Sequence, residues 1–148
     1  DCLWWAQCLH WCKVWSMHIR IESAVPRSHL HYRGVERCAL ILGDRTADGY
    51  TVRRFVPVPN RHTAPEHRFS VVLSDAAFLL GDATKSIIGV VHSHAHGDPM
   101  PSRIDLTSIE DGYIGAVFCG LTITSWYERN NPLLTATVSF VTGEGAVA

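Results

Sequence analysis

The sequence lacks an excess of either charge. Its 13 lysines and arginines nearly balance 14 aspartates and glutamates, so the formal net charge is −1 at pH 7. Proteins that bind nucleic acid usually present a basic surface to the phosphates, and this balance therefore argues against a nucleic-acid partner. There is also no run of like charges of the kind that forms an interaction tail.

The sequence also lacks a disulfide framework. Its five cysteines are an odd number, and three of them fall within the first twelve residues. Cys38 and Cys119 lie in apolar runs, where unpaired cysteines are common. Because no spacing suggests disulfide pairing, we expect a reducing, cytoplasmic setting.

The first sixteen residues differ in composition from the rest, since they contain four of the five tryptophans. We interpret 1–16 as an upstream or non-native prefix, with Met17 as the natural start and 17–148 as the domain. No membrane is expected, because the stretch is shorter than the roughly 20 apolar residues of a transmembrane helix. A signal peptide is a weaker interpretation, because neither a basic n-region nor a small-residue cleavage site is present.

Two further interpretations of this prefix stay open. Cys8, His10 and Cys12 could bind a metal, although their spacing matches no common site. The prefix could equally be an amphipathic arm for a partner.

What is present is the composition of a globular domain. The chain has 148 residues, of which 47% are hydrophobic and 18% charged, which suits one core and not two ordinary domains. Apolar runs bounded by turn residues predict strands over 18–21, 35–42, 50–58, 87–92, 113–119, 123–129 and 135–141. Capping residues predict helices over 23–33, 74–80 and 102–109. This mixture indicates a single α/β or α+β domain.

Two histidines, His92 and His94, close one of the predicted strands. Residues two apart on a strand point the same way, so both imidazoles can reach one metal ion. Beyond a loop, Asp105 lies one helical turn after Ser102 and on the same face. Two imidazole nitrogens and one carboxylate oxygen form a catalytic zinc set whose fourth position is left for water. Zinc lowers the pKa of that water to about 7.

A hydrolytic site also needs a group that moves protons, and Glu36 is the best-placed carboxylate. It is the one acid within the apolar run 35–42, and a buried carboxylate is costly unless it is paired or functional. We expect it to take a proton from the zinc-bound water and to pass it to the leaving amine. The Ser102 hydroxyl is expected to donate to the oxyanion that develops on the attacked carbonyl.

Together these residues resemble the pattern of the JAMM (MPN+) metallopeptidases. That pattern is an upstream glutamate, then His-x-His, seven residues, Ser, two residues and Asp, which this chain matches from Glu36 to Asp105. The resemblance covers about 17–141. Two departures are Ala95, where many members have proline, and Ala39, where many have glycine after the first-strand cysteine.

The resemblance implies a single MPN-like domain with a mixed central sheet flanked by two or three helices. It also implies a role for each of five residues: zinc ligands at His92, His94 and Asp105, a general base at Glu36 and an oxyanion-stabilising hydroxyl at Ser102. The implied cofactor is one Zn²⁺ per chain.

The resemblance further implies hydrolysis of a peptide or isopeptide bond beside the C-terminal Gly-Gly of ubiquitin or a ubiquitin-like β-grasp protein. The short chain is similar to bacterial members, and 101–105 resembles members that release cysteine from a sulfur carrier. We therefore predict a peptidase acting on the tail of such a carrier. The alternatives are a hydrolase of other specificity (deubiquitinase-like, phage-tail or cell-wall) and a non-catalytic interaction module, and a homodimer is left open.

The same residues fit other chemistry less well. Metallo-β-lactamase-like hydrolases use His-x-His-x-Asp-His, whereas this chain has His96 and Gly97 at the last two positions. We expect His96 and Asp98 to be loop residues, and Cys38 to pack in the core rather than act as a nucleophile. The other histidines of the domain that we expect to be solvated are His29, His31, His62 and His67.

Overall fold

The computed structural model describes residues 17–141. The prefix 1–16 lies outside the described residues, so its interpretation stays a prediction. The elements are, in chain order, β1 (His18–Ile21), α1 (Arg27–Leu30), β2 (Cys38–Thr46), β3 (Gly49–Val58), α2 (Leu73–Leu80), a 3-10 helix (Gly81–Ser86), β4 (Ile87–Ser93), α3 (Arg103–Ser108), β5 (Ile114–Cys119), β6 (Thr122–Glu128), β7 (Asn131–Pro132) and β8 (Thr137–Phe140).

All eight strands of the described residues join one mixed sheet, in the order β7-β6-β5-β4-β2-β3-β1-β8. β4 pairs with β5, and β1 with both β3 and β8, in parallel, whereas the other neighbours are antiparallel. The predicted α+β domain, a mixed sheet with a few helices, is confirmed. None of the helices between 17 and 141 is long and apolar enough to cross a membrane.

The central strand β2 is buried on both faces, which explains its continuous apolar run. Because side chains alternate along a strand, Ala39 and Ile41 enter one core cluster, with residues of β1, β4, β5 and β6. Cys38, Leu40 and Leu42 enter a second cluster on the other face, beneath α2. The face of the sheet that carries this second cluster also carries the ring of His92. The ring stacks on Phe69, which packs against the cluster.

The predicted limits of this strand are wrong at both ends. Its first residue is Cys38 rather than 35, and it continues through Gly43, which we expected to end it. Gly43 instead pairs with Val52 where the register shifts. A Cβ built on Gly43 would lie 1.9 Å from the carbonyl oxygen of Thr51, so glycine here permits a close approach of two strands rather than a stop.

The predicted helix over 23–33 is reduced to one turn, Arg27–Leu30, with Pro26 rather than Ser23 at its N-cap. Proline has no N–H to donate and is suited to starting a helix, not to continuing one. Leu30 anchors this turn in the core and is fully buried.

The burial of Cys38 generates a prediction about its reactivity. Burial raises the pKa of its thiol to about 12, with a smaller contribution from the charge of Glu36. In the folded protein at mildly alkaline pH, iodoacetamide should therefore modify the partly exposed Cys119 faster than Cys38. Peptide mass spectrometry checks this, with the denatured protein as control, and equal labelling of the two thiols in the folded state would contradict it.

Candidate metal centre

His92 and His94 lie where β4 ends. His92 is paired on both sides, with Cys38 of β2 and Val117 of β5, and is fully buried. His94 follows the strand, and its backbone N–H donates to Phe118 O at 3.0 Å. The Nε2 atoms of the two imidazoles are 3.0 Å apart, so the strand end directs both rings to one point, as its two-residue period predicts.

Asp105 reaches the same point because of how α3 begins. Ser102 is the N-cap, and its Oγ accepts from the Asp105 N–H at 3.1 Å. The Ser102 N–H in turn donates to Asp105 Oδ2 at 2.7 Å. This reciprocal capping box stabilises the helix start and orients the carboxylate. Oδ2 then lies 3.2 Å from Nε2 of both His92 and His94.

The triangle formed by these three atoms fits a zinc ion. Its edges are 3.0–3.2 Å, and tetrahedral bonds of about 2.0–2.1 Å imply edges of about 3.3–3.4 Å. His94 Nδ1 lies 2.7 Å from the Asp98 carbonyl, which only accepts, so Nδ1 carries a proton. In the neutral form of the ring, Nε2 therefore turns a lone pair toward the triangle. Three electron-rich atoms so close together favour a cation between them.

The protonation states of the three groups also suit a metal. Although burial opposes it, hydrogen bonds with His92 and His94 hold the pKa of Asp105 well below its ordinary value. Burial lowers the pKa of His92, which favours the neutral ring. Burial lowers the pKa of His94, but its interactions with Asp105, the Asp98 carbonyl and the charge of Glu36 together raise it above its ordinary value. Metal binding would displace a proton from the charged form of this ring.

Packing, rather than a second hydrogen bond, holds the ring of His92. It stacks on Phe69 with centroids 4.3 Å apart and meets the edge of Tyr127 at 6.3 Å. Its Nδ1 has no hydrogen-bond partner within 17–141. Metal-binding histidines usually donate through this second nitrogen, and here apolar contacts replace that restraint on the ring.

Glu36 is buried, as expected, but it does not lie in the strand. It precedes β2 by two residues and is 7% exposed. The pairing of Cys38 with His92 continues outward through Arg37 and Ser93, whose backbone atoms are joined at 2.8 Å. The same antiparallel register therefore places Glu36 opposite His94, and opposite residues of such a pair share a face of the sheet.

The carboxyl group of Glu36 has a pKa raised to about 7. Burial is the main cause, while the charge of His94 lowers the pKa and the charge of Asp105 raises it. A cation held by the triangle would oppose the upward shift, since opposite charge favours the carboxylate. A pKa near neutrality suits a group that both accepts and donates protons.

The chain shows sequence similarity to one known family. Residues 20–129 match the model of the family described as prokaryotic homologs of the JAB domain. The chain belongs to this family. The JAB family includes metallopeptidases, and the three donors of the triangle lie within the matched residues. No curated protein matches the chain.

Two solved structures of bacterial proteins are similar to this chain. The solution structure of a protein from Desulfitobacterium hafniense has a TM-score of 0.65 and 18% identity, covering 84% of this chain and 94% of its own. A protein from Salinibacter ruber has a TM-score of 0.48 and 19% identity, covering 83% of this chain and 94% of its own. At this identity, the first likeness concerns the fold alone.

Sequence reasoning missed Asn60, which organises the loop of this JAB domain beside Glu36. Its Nδ2 donates to Glu36 O at 2.8 Å and to Arg68 O at 2.9 Å, while its Oδ1 accepts from His62 N and Ser70 N, both at 3.0 Å. All four hydrogen-bonding positions of the amide are thus used. An asparagine in a polar loop was the available signal, but these partners span 34 residues from Glu36 to Ser70 and could not be inferred from it.

The remaining candidates lie outside the triangle. His96 is exposed and stacks on His67, with centroids 5.1 Å apart, and within 17–141 the metal-capable group holds only His92, His94 and Asp105. The expectation that the other histidines are solvated is wrong for two of them. His29 and His62 are half-buried and hydrogen-bond to the backbone of Cys38 and Ala64.

The capping box generates a prediction about stability. Replacing Ser102→Ala should lower the free energy of unfolding of the metal-free domain by about 1 kcal/mol, because the Asp105 N–H loses its acceptor. Ser102→Thr, which keeps a hydroxyl cap, is the matched control. Urea denaturation followed by circular dichroism measures both, and an alanine variant as stable as the wild type would show that the cap does not stabilise α3.

Proposed function

We propose that this JAB-family domain is a zinc-dependent peptidase. Its substrate is a peptide or isopeptide bond at the C-terminal Gly-Gly tail of a ubiquitin-like sulfur-carrier protein. The observation that carries the hydrolase is the convergence of His92, His94 and Asp105 beside the buried carboxyl group of Glu36. Three protein donors leave the fourth position of a tetrahedral ion open, which is the arrangement of catalytic sites.

Each side chain has one task in the proposed reaction. When bound, zinc would supply the Lewis acidity that lowers the pKa of a water molecule to about 7. Glu36 accepts the proton of the attacking water and returns it to the nitrogen of the leaving amine. Its buried position, opposite His94 in the register of β2 and β4, keeps this carboxyl group on the same face as the donors.

Ser102 has a hydroxyl that suits stabilisation of the oxyanion. Its Oγ accepts from the Asp105 N–H, and its own O–H donates to no acceptor within 17–141. The residue is exposed at the start of α3, so the hydroxyl can donate to a substrate oxygen. The cap holds Oγ in place and thereby links the structural role of Ser102 to its proposed catalytic role.

The substrate follows from the resemblance to sulfur-carrier peptidases, and extended tails of this kind bind by strand addition to a sheet edge. The same proposal places the enzyme in the cytoplasm, with no nucleic-acid or membrane partner. Incubation of the zinc-loaded protein with β-grasp carriers extended beyond Gly-Gly should release the extension. Intact mass spectrometry detects the cut, and uncleaved carriers under conditions where other peptides are hydrolysed would assign a different specificity.

Zinc content tests the metal centre. Protein purified without chelator should contain about one zinc per chain, and Asp105→Ala should lose it, because removal of one of three ligands weakens the site. Asp98→Ala is the matched control, since its carboxylate lies outside the triangle. Elemental analysis measures the metal. A wild-type protein free of zinc, or an Asp105→Ala variant that retains it, would overturn the proposed centre.

The role of Glu36 is separable from metal binding. Glu36→Gln should keep zinc and lose about 10²–10⁴-fold in kcat, because an amide has the shape of the acid but cannot carry its proton. Glu66→Gln, in the exposed part of the neighbouring loop, is the control and should hydrolyse at the normal rate. If Glu36→Gln matches the wild-type rate, this residue is not the general base.

A further inference from the structure

A cavity of about 360 Å³ lies beside the metal centre. It lies between the face of the sheet that carries His92 and the inner side of α3, and its lining includes Leu40, Val71, Ile87 and Val90. Asp105 also lines it, so the cavity begins at one of the proposed zinc ligands. A cavity of this size and apolar character suits a bound organic group.

A second recess connects this cavity with Ser102, the proposed oxyanion donor. It measures about 220 Å³ and is lined by Ser102. The two spaces share Phe69, Asp105 and Ser108. They therefore form one groove along α3, and a substrate whose carbonyl lies at Ser102 and Asp105 has the apolar cavity next to it.

Tyr127 brings a hydroxyl to the cavity that the folded chain itself does not use. Its side chain extends from β6 over Gly115 of β5, where a built Cβ would lie 2.2 Å from Tyr127 Cζ. Gly115 pairs with Val90 of β4, so the ring end points across the sheet toward the cavity, which Tyr127 lines. The residue as a whole is 1% exposed, but its hydroxyl is not one of the fully buried unpartnered atoms of 17–141, which are His92 Nδ1 and Ser125 Oγ.

A polar group in the lining of an apolar cavity can orient a ligand by a hydrogen bond, and the Tyr127 hydroxyl is placed to do so. The charged residues that line the cavity are two acids, Asp105 and Glu110. In the metal-free protein both charges disfavour a free carboxylate in the cavity, such as that of a C-terminal residue. The remaining lining is mostly apolar, which favours a neutral hydrophobic side chain.

We infer that this cavity is the specificity pocket of the enzyme and binds one large apolar side chain, of the leucine or phenylalanine class, from the residue that follows the cleaved bond, which is the first residue beyond Gly-Gly. The Tyr127 hydroxyl donates a hydrogen bond to a backbone carbonyl of the same residue. The reaction rests on the proposed peptidase function. Binding of the side chain does not, because the pocket belongs to this chain alone and exists without the metal.

Binding can be measured on the metal-free protein by amide chemical shifts. N-acetyl-phenylalanine amide should shift the signals of Gly89, Val90 and Tyr113 saturably, whereas N-acetyl-glycine amide should not. Val90→Phe fills the pocket and should weaken binding at least about tenfold, while Val138→Phe on the distant strand β8 should leave it unchanged. Equal shifts with both probes, or an unchanged affinity of Val90→Phe for the phenylalanine probe, would contradict the inferred pocket.

A second variant covers the case in which Val90→Phe does not fold. Tyr127→Phe keeps the ring over Gly115 and removes only the hydroxyl, so it should weaken binding of the phenylalanine probe by about tenfold, the effect of one lost hydrogen bond. Unchanged affinity in this variant would exclude the hydroxyl as a donor. The amide spectrum of each variant shows directly whether it is folded.

Kinetics on the zinc-loaded protein separate this inference from the peptidase proposal. Peptides with leucine or phenylalanine directly after the cut should exceed peptides with glycine at that position in kcat/KM by at least about tenfold. Cleavage of all peptides at one rate would contradict the specificity pocket but not the peptidase function. Absence of any cleavage, together with selective binding of the phenylalanine probe, would contradict the peptidase function but support the pocket.

Discussion

One carboxylate oxygen, Asp105 Oδ2, joins the helix to the candidate metal centre. It accepts the N–H of Ser102 at 2.7 Å and lies 3.2 Å from Nε2 of His92 and of His94. An oxygen that caps a helix is held in place before any ion arrives, and preorganised ligands with supported geometry bind metals more tightly. The start of the six-residue helix α3 is thus stabilised by the same oxygen atom that would bind the metal.

The sheet supplies the other half of the site. β4 is held between β2 and β5, which fixes the direction of His92 and His94. The antiparallel register of β2 and β4 also brings Glu36 opposite His94, although 56 residues separate it from His92 in the sequence. The loop that begins at Asn60 then holds the backbone of Glu36 from outside the sheet. The register of β2 and β4 therefore positions both histidines and Glu36, and the Asn60 loop adds a separate restraint on Glu36.

Local rules predicted a large part of this architecture. The two-residue period brought His92 and His94 to one side, and the serine three residues before Asp105 predicted the start of α3. The errors at Gly43 and Pro26 came from reading turn residues without the partner strands and core contacts that decide their roles. Phe69, Tyr127 and Asn60 could not be found from sequence, because each acts through contacts between elements that are distant along the chain. The catalytic assignments of Glu36 and Ser102 stay predictions.

The claim that the His92, His94 and Asp105 triangle is the zinc site is tested most directly by X-ray absorption at the zinc edge of the wild-type protein. The structure predicts a first shell of nitrogen and oxygen at about 2.0–2.1 Å, with the multiple scattering of two imidazoles and no sulfur. A shell containing sulfur at about 2.3 Å would contradict it, because it would assign the metal to cysteines.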